Sequence, residues 1–135
     1  MKISLLVSDA ALAEYFVTAL RFAGHIVTLY PSKEDLVSTL FTDAYQHQPV
    51  SDEALLIELV LDEKGKRMIA ELYRLAQDHR LPLIVLTTSD RGAIARAQDA
   101  FPGLLIEQLP ILPGKLFLLI QTQRSSMSSE DLLSD

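Results

Sequence analysis

Ala54-Leu55-Leu56-Ile57-Glu58-Leu59-Val60-Leu61 is an apolar run broken by one polar residue, Glu58. A strand with one face in water alternates apolar and polar residues, whereas a strand covered on both faces reads as a continuous apolar run. The stretch is short for a buried helix. Polar residues from Gln48 to Glu53, Pro49 among them, precede it, and Asp62 to Gly65 reads as a turn after it. The run is therefore predicted to be the central strand of a parallel α/β sheet, with Glu58 as an unpaired carboxylate near a buried edge.

Outward from this strand, helical and strand-like segments alternate. Ile3 to Val7 is an apolar run of strand length, and Asp9 can cap a helix to Ala23 that Gly24 stops. Ile26 to Tyr30 mixes β-branched and aromatic residues as strands do and ends at Pro31. Ser32 and Asp35 sit at capping-box spacing, opening a helix to about His47 whose apolar face is Leu36, Val37, Leu40, Phe41 and Tyr45. On the other side, Met68, Ile69, Leu72 and Leu75 recur at helical spacing to about His79. Leu83 to Leu86 forms a fourth strand, Asp90 caps a helix from Arg91 to Ala100, and Pro102-Gly103 ends it. Leu104 to Leu109 is a fifth strand, and Pro113 opens a last helix to about Gln123. From Arg124 the chain is Ser-rich and acidic without a period, and is expected to be a disordered linker or tail after a single domain over residues 1–123.

Five strands alternating with five helices imply right-handed crossovers and helices on both faces. The expected architecture is a three-layer, flavodoxin-like sandwich with sheet order 2-1-3-4-5. In such sheets the crevice at the carboxyl ends of the strands holds ligands and chemistry. Here those ends carry Ser8-Asp9, Glu58, Thr87-Thr88 and Leu109-Pro110.

Composition narrows the function. The chain has 135 residues, 49% of them hydrophobic, which suits one soluble domain with a core. A net charge of −6 with scattered Lys and Arg gives no basic face for nucleic acid. There is no cysteine, so disulfides, thiol catalysis and cysteine-held metals are excluded, and a cytoplasmic location is expected. No run approaches the roughly 18 apolar residues of a membrane helix. His25, His47 and His79 share no ligand spacing, and no glycine-rich phosphate loop or nucleophile elbow occurs. The loop after the first strand, Ser8-Asp9-Ala10-Ala11, lacks the glycines that a flavodoxin-like enzyme or nucleotide binder needs. The chain is not expected to be an enzyme.

From Lys2 to about Gln123 the order and spacing of these residues resemble a response-regulator receiver (CheY-like) domain. The resemblance places Asp9 at the second carboxylate of the family's acidic pair, with Ser8 in place of the first. Glu58 stands where the family has its phosphoacceptor aspartate. Gly65 matches the turn glycine, Asp62 replaces a loop proline, and that loop looks one residue short. Thr87 matches the hydroxyl residue that bonds the phosphoryl group, and Ile106 takes the aromatic switch position. Leu109 replaces an invariant lysine, and Pro110 matches a proline that usually follows a cis bond.

What the resemblance implies is a two-component signalling module with its phosphorylation chemistry dismantled. In the family, carboxylates hold Mg²⁺, which shields the phosphoryl group during transfer. Here Asp9 and Glu58 would give at most weak Mg²⁺ binding, and no other cofactor is implied. Glutamate's extra methylene moves its oxygens by roughly an ångström, a displacement able to cost about a hundredfold in a positioned reaction. The expected function is a pseudo-receiver that acts by protein contact, either with a partner or by self-association. The face implied is that of the fourth helix, fifth strand and fifth helix: Ala93, Ala97, Ile106, Leu112 and Phe117, with few charges to repel a partner. Fusion to an output or kinase domain is expected in the full protein. The alternative is an atypical but competent receiver that takes a phosphoryl group from a histidine kinase at Glu58 or Asp62 with Mg²⁺.

Overall fold

The structure, a computed structural model, describes residues 2–40 and 53–122. The strands are β1 (Lys2–Leu6), β2 (Ile26–Leu29), β3 (Glu53–Glu58), β4 (Leu83–Thr87) and β5 (Leu105–Gln108). Between them lie α1 (Ala10–Phe22), α2 (Lys33–Leu40), α3 (Glu63–Asp78) and α4 (Arg91–Ala100), and α5 covers residues 113–122. Every strand pairing is parallel and the sheet order is β2-β1-β3-β4-β5, the expected flavodoxin-like order.

The apolar run at β3 is explained by its two faces. Leu55 and Ile57 point into a core shared with α2, α3 and α4, which supply Leu36, Ile69, Leu72 and Ala97. Leu56, between them, points the other way, against Phe16 and Leu20 of α1 and Leu116 and Ile120 of α5. Strand side chains alternate between faces, so burial on both leaves no polar position until Glu58. Ile84 and Leu86 join the α1/α5 core, while Val85 and Ile106 join the other.

Aspartates start three of the helices. The carboxylates of Asp9, Asp62 and Asp90 accept hydrogen bonds from the backbone N–H groups of Leu12 (2.9 Å), Gly65 (2.7 Å) and Ala93 (2.8 Å). Ser32 and Asp35 bond each other at the start of α2, as their spacing predicted. The remainder of the expected second helix to His47, and the expected tail from Arg124, lie outside the described residues.

Two expectations are corrected. The apolar run to Leu61 overstates β3, which ends at Glu58: Leu59 and Leu61 are still buried, but in the connection to α3. Asp62 to Gly65 is not a free turn, because the Asp62 carboxylate captures the Gly65 N–H and makes these residues the cap and first turn of α3. Gly65 is then pressed against the preceding loop, where a Cβ would collide with the Val60 carbonyl oxygen.

A third correction concerns the interaction face. Ala93, Ala97 and Ile106 are 9%, 2% and 5% exposed and belong to the core. Ala93 and Ala97, four residues apart, are the stripe by which α4 packs on the sheet, so they are not part of an exposed face. Of the five expected residues, Leu112 is exposed and Phe117 half-buried. Among the described residues, no helix is long and apolar enough to cross a membrane.

Candidate functional site

The ends of β1 and β3 lie side by side because Leu6 pairs with Ile57, which brings Ser8 next to Glu58 across 50 residues of sequence. The Ser8 hydroxyl donates to the Glu58 carboxylate at 3.3 Å. Below this pair an open crevice of about 400 Å³ runs toward the starts of α2 and α3, lined by Ser8, Glu58, Lys33, Asp62, Lys64 and Met68 among others.

The two nearby aspartates each use one carboxylate oxygen in a helix cap. Asp9 serves the Leu12 N–H and Asp62 the Gly65 N–H, both as helix caps. A small divalent cation demands several hard oxygen ligands converging on one point. Among the described residues no group of three or more Asp, Glu or His side chains is arranged to hold a metal ion. The oxygen donors lining this crevice are the Glu58 carboxylate, the Ser8 hydroxyl and the carboxylate of Asp62, one oxygen of which caps α3.

Lys33 is a crevice residue that the sequence did not single out. Its ammonium is bridged to Glu71 of α3 at 2.7 Å. The hydrogen bond to Glu71 holds the Lys33 pKa above its ordinary value, desolvation opposes this, and the charges of Glu71 and Glu34 add to it. This cation is oriented toward α3.

At β4 and β5 the polar groups hold the backbone together. Thr87 is fully buried, and its hydroxyl oxygen accepts the Ser89 N–H at 3.1 Å. The Thr87 carbonyl accepts the Leu109 N–H at 2.7 Å. Ser89 is the hub: its hydroxyl oxygen accepts the Leu61 N–H at 2.9 Å, and its carbonyl accepts the Gln108 side-chain amide at 3.1 Å. The connection after β3, the connection after β4 and the end of β5 are thereby fastened to one residue. Leu109 is half-buried against the α1/α5 core, the Leu109–Pro110 bond is cis, and the Tyr15 hydroxyl donates to the Ile111 carbonyl at 3.1 Å.

The predicted strand-end residues therefore do gather at one edge, but as two groups. Ser8 and Glu58 face each other in the open, whereas Thr87 and Ile106 are buried on the α3/α4 side. Ser89 and Gln108 escaped notice because a lone Ser and Gln carry no spacing signal. The one available clue was the position of Ser89 directly after the threonines that end β4.

Comparison with solved structures follows the same lines. A signal receiver domain of a modulated diguanylate cyclase from Desulfovibrio desulfuricans superposes with a TM-score of 0.68 at 22% identity, over 95% of this chain and 97% of that one. A CheY-like response regulator receiver domain protein from Methanospirillum hungatei gives 0.67 at 15% identity, over 96% and 97%. The fold is that of receiver domains. Full-length FixJ from B. japonicum gives 0.73 at 16% identity over 93% of this chain, which covers 58% of that longer protein. No family model matches the sequence, and no curated protein matches it significantly.

Among the described residues, the crevice sets one carboxylate, bonded to a hydroxyl, with Lys33 and Lys64 in the same lining, beside a loop network anchored on Ser89.

Proposed function

We propose that this domain is a two-component signalling module of the pseudo-receiver kind, acting by protein contact without aspartyl phosphorylation. The observation that carries this reading is the fate of the position where the resemblance asks for a lysine. Leu109 has its side chain packed against the α1/α5 core, so that position supplies no charge to neutralise one developing on Glu58. A phosphoryl group brings nearly two negative charges and three acceptor oxygens. Placed on Glu58, it would meet the neutral Ser8 hydroxyl, with Lys33 of the crevice already bridged to Glu71. Asp62 is a poor substitute, since one of its carboxylate oxygens is held by the Gly65 N–H that starts α3.

Signalling by contact needs a fixed shape, and the Ser89 network supplies one. In a phosphorylated receiver a two-state equilibrium shifts at the face of the fourth helix, fifth strand and fifth helix; here the loop after β4 is tied to the end of β5 and to the β3–α3 connection. The experiment is incubation of the protein with acetyl phosphate and Mg²⁺, read by intact mass. The expected result is an unmodified mass. A phosphoryl adduct that Glu58→Ala or Asp62→Ala abolishes would establish the competent-receiver alternative instead.

A further inference from the structure

Along α1, Ala11, Tyr15, Thr18 and Phe22 recur every three or four residues on a side turned away from the sheet. Ala13, Phe16 and Leu20 make the buried side of the same helix. The outer stripe carries no charge of its own where a surface helix would ordinarily be charged, and Glu14 stands at its edge in the groove lining. Phe22 is 93% exposed and Tyr15 38%. With Pro113 and Phe117 of α5 the stripe lines an open groove of about 660 Å³. The one charged residue of α5, Lys115, is bridged to Glu107 at 3.0 Å and so does not oppose an apolar cover.

We propose that this α1/α5 groove is the contact by which two copies of the chain pair, with their α1 helices antiparallel about a two-fold axis near Thr18. This deepens the protein-contact reading, on which it rests, by naming a second copy as the partner.

Self-complementarity is the argument for a second copy over any other occupant. A two-fold contact uses one patch twice, so the patch must carry both a projection and a recess for it. Here Phe22 projects at one end of the groove, and Ala11 and Pro113 border it at the other. Charge follows the same symmetry. Glu14 and Arg21 are seven residues apart, two turns along α1, and so flank the same stripe. A two-fold axis between residues 17 and 18 sets the Glu14 of each copy against the Arg21 of the other. Arg21 is exposed, and its guanidinium makes a 3.5 Å contact with the Val27 carbonyl that leaves its remaining donors to a partner. The pattern is that of a short antiparallel coiled coil, apolar along the seam and oppositely charged at its edges.

The area is sufficient for a dimer only if the whole groove closes. Phe22 and Tyr15 expose on the order of 250 Å² of aromatic surface per copy. Two copies would cover about 500 Å² of it, roughly a third of the area in a standard stable interface. The groove walls at Ala11, Thr18, Pro113 and Phe117 and the two edge ion pairs must supply the remainder. Small side chains at positions 11 and 18 let the helices approach closely, and Phe22, the most exposed aromatic of the patch, is the anchor at each end.

Sedimentation velocity of the full chain over a micromolar concentration series tests the proposal. The expected result is a monomer–dimer equilibrium that Phe22→Asp weakens by about thirtyfold or more. Glu14→Arg and Arg21→Glu should each weaken it severalfold, and the double variant should restore it, because reversal of both charges recreates the pairs. Phe22 is almost wholly in solvent, so Phe22→Asp should keep the parent's urea midpoint and circular dichroism, which separates lost pairing from lost folding. A chain that is monomeric throughout overturns the proposal, as does a dimer indifferent to these three substitutions. Neither result touches the phosphorylation reading, which intact mass decides separately: a monomer that refuses phosphate sinks the dimer alone, and a dimer that accepts it sinks the pseudo-receiver alone.

Discussion

Ser89→Ala removes one atom from the network that ties the crevice loops together, and the structure sets the size of the effect. The lost oxygen accepts the Leu61 N–H at 2.9 Å. Leu61 is 7% exposed, so water reaches that amide poorly once its acceptor is gone. Leaving a buried N–H unsatisfied costs about 1–3 kcal/mol. Ser89 itself is half-exposed and a water can partly take its place, which puts the expected loss in the lower half of that range. The other two bonds of Ser89 use its backbone and survive in alanine. With a urea m-value of about 1–3 kcal/mol/M for a domain of this size, the midpoint should fall by about 0.5–1 M. Hydrogen exchange at the Leu61 amide should accelerate about tenfold, the factor that corresponds to 1.4 kcal/mol of protection. The reasoning is refuted if the midpoint moves by less than about 0.2 M, well below the bond's worth, and Leu61 keeps its protection.

The remaining predictions concern the core, a close approach and a charged pair. Phe16→Ala, at a fully buried position of α1, should cost about 3–5 kcal/mol in urea unfolding, because the cavity adds to the lost transfer energy. Gly65→Ala should destabilise by about 1–3 kcal/mol despite alanine's better helix propensity, since its Cβ meets the Val60 carbonyl; a gain in stability would show that this loop is slack. For Lys33, whose pKa in the fold is raised above 10.5 by Glu71, the contribution to stability is fully present below that ordinary value. It is lost as pH rises through the raised folded value. Urea midpoints of the parent and Lys33→Met should therefore converge as the solution is taken from neutral to strongly alkaline, and a gap that persists would contradict the assignment.

Much of this architecture was written in local patterns. The run at β3 announced a strand buried on both faces, and the aspartates before α1 and α4 marked helix starts that their side chains do cap. Boundaries were less legible where burial outlasts pairing. Leu59 and Leu61 look like strand residues because they are buried, yet they pack from a connection held by Ser89. Asp62 was read as part of a turn because Gly65 follows it, and only the hydrogen bond between the two makes that turn helical. The misplaced interaction face has a similar cause. Ala93 and Ala97 carry no charge, and absence of charge marks a core stripe as readily as a docking surface.

At the candidate site, residue identities were visible in sequence but their partners were not. Nothing local says that Ser8 would donate to Glu58 fifty residues on, or that Lys33 would turn to Glu71. Those pairings depend on how the strands register and on where the helices come to rest. The apolar replacement at Leu109 was evident, whereas its packing into the α1/α5 core, which turns a missing charge into a structural contact, needed the fold.

The central claim is that this crevice keeps the receiver shape without its metal and phosphoryl chemistry. Titration of the ¹⁵N-labelled chain with Mg²⁺ and then fluoroberyllate, a mimic of a bound phosphoryl group, tests it most directly. The account predicts that the backbone amide resonances of Ser8, Asp9, Glu58, Leu59, Thr87 and Ser89 stay where they are, at most drifting weakly and without saturation. Saturable shifts concentrated on those residues and abolished by Glu58→Ala would contradict it.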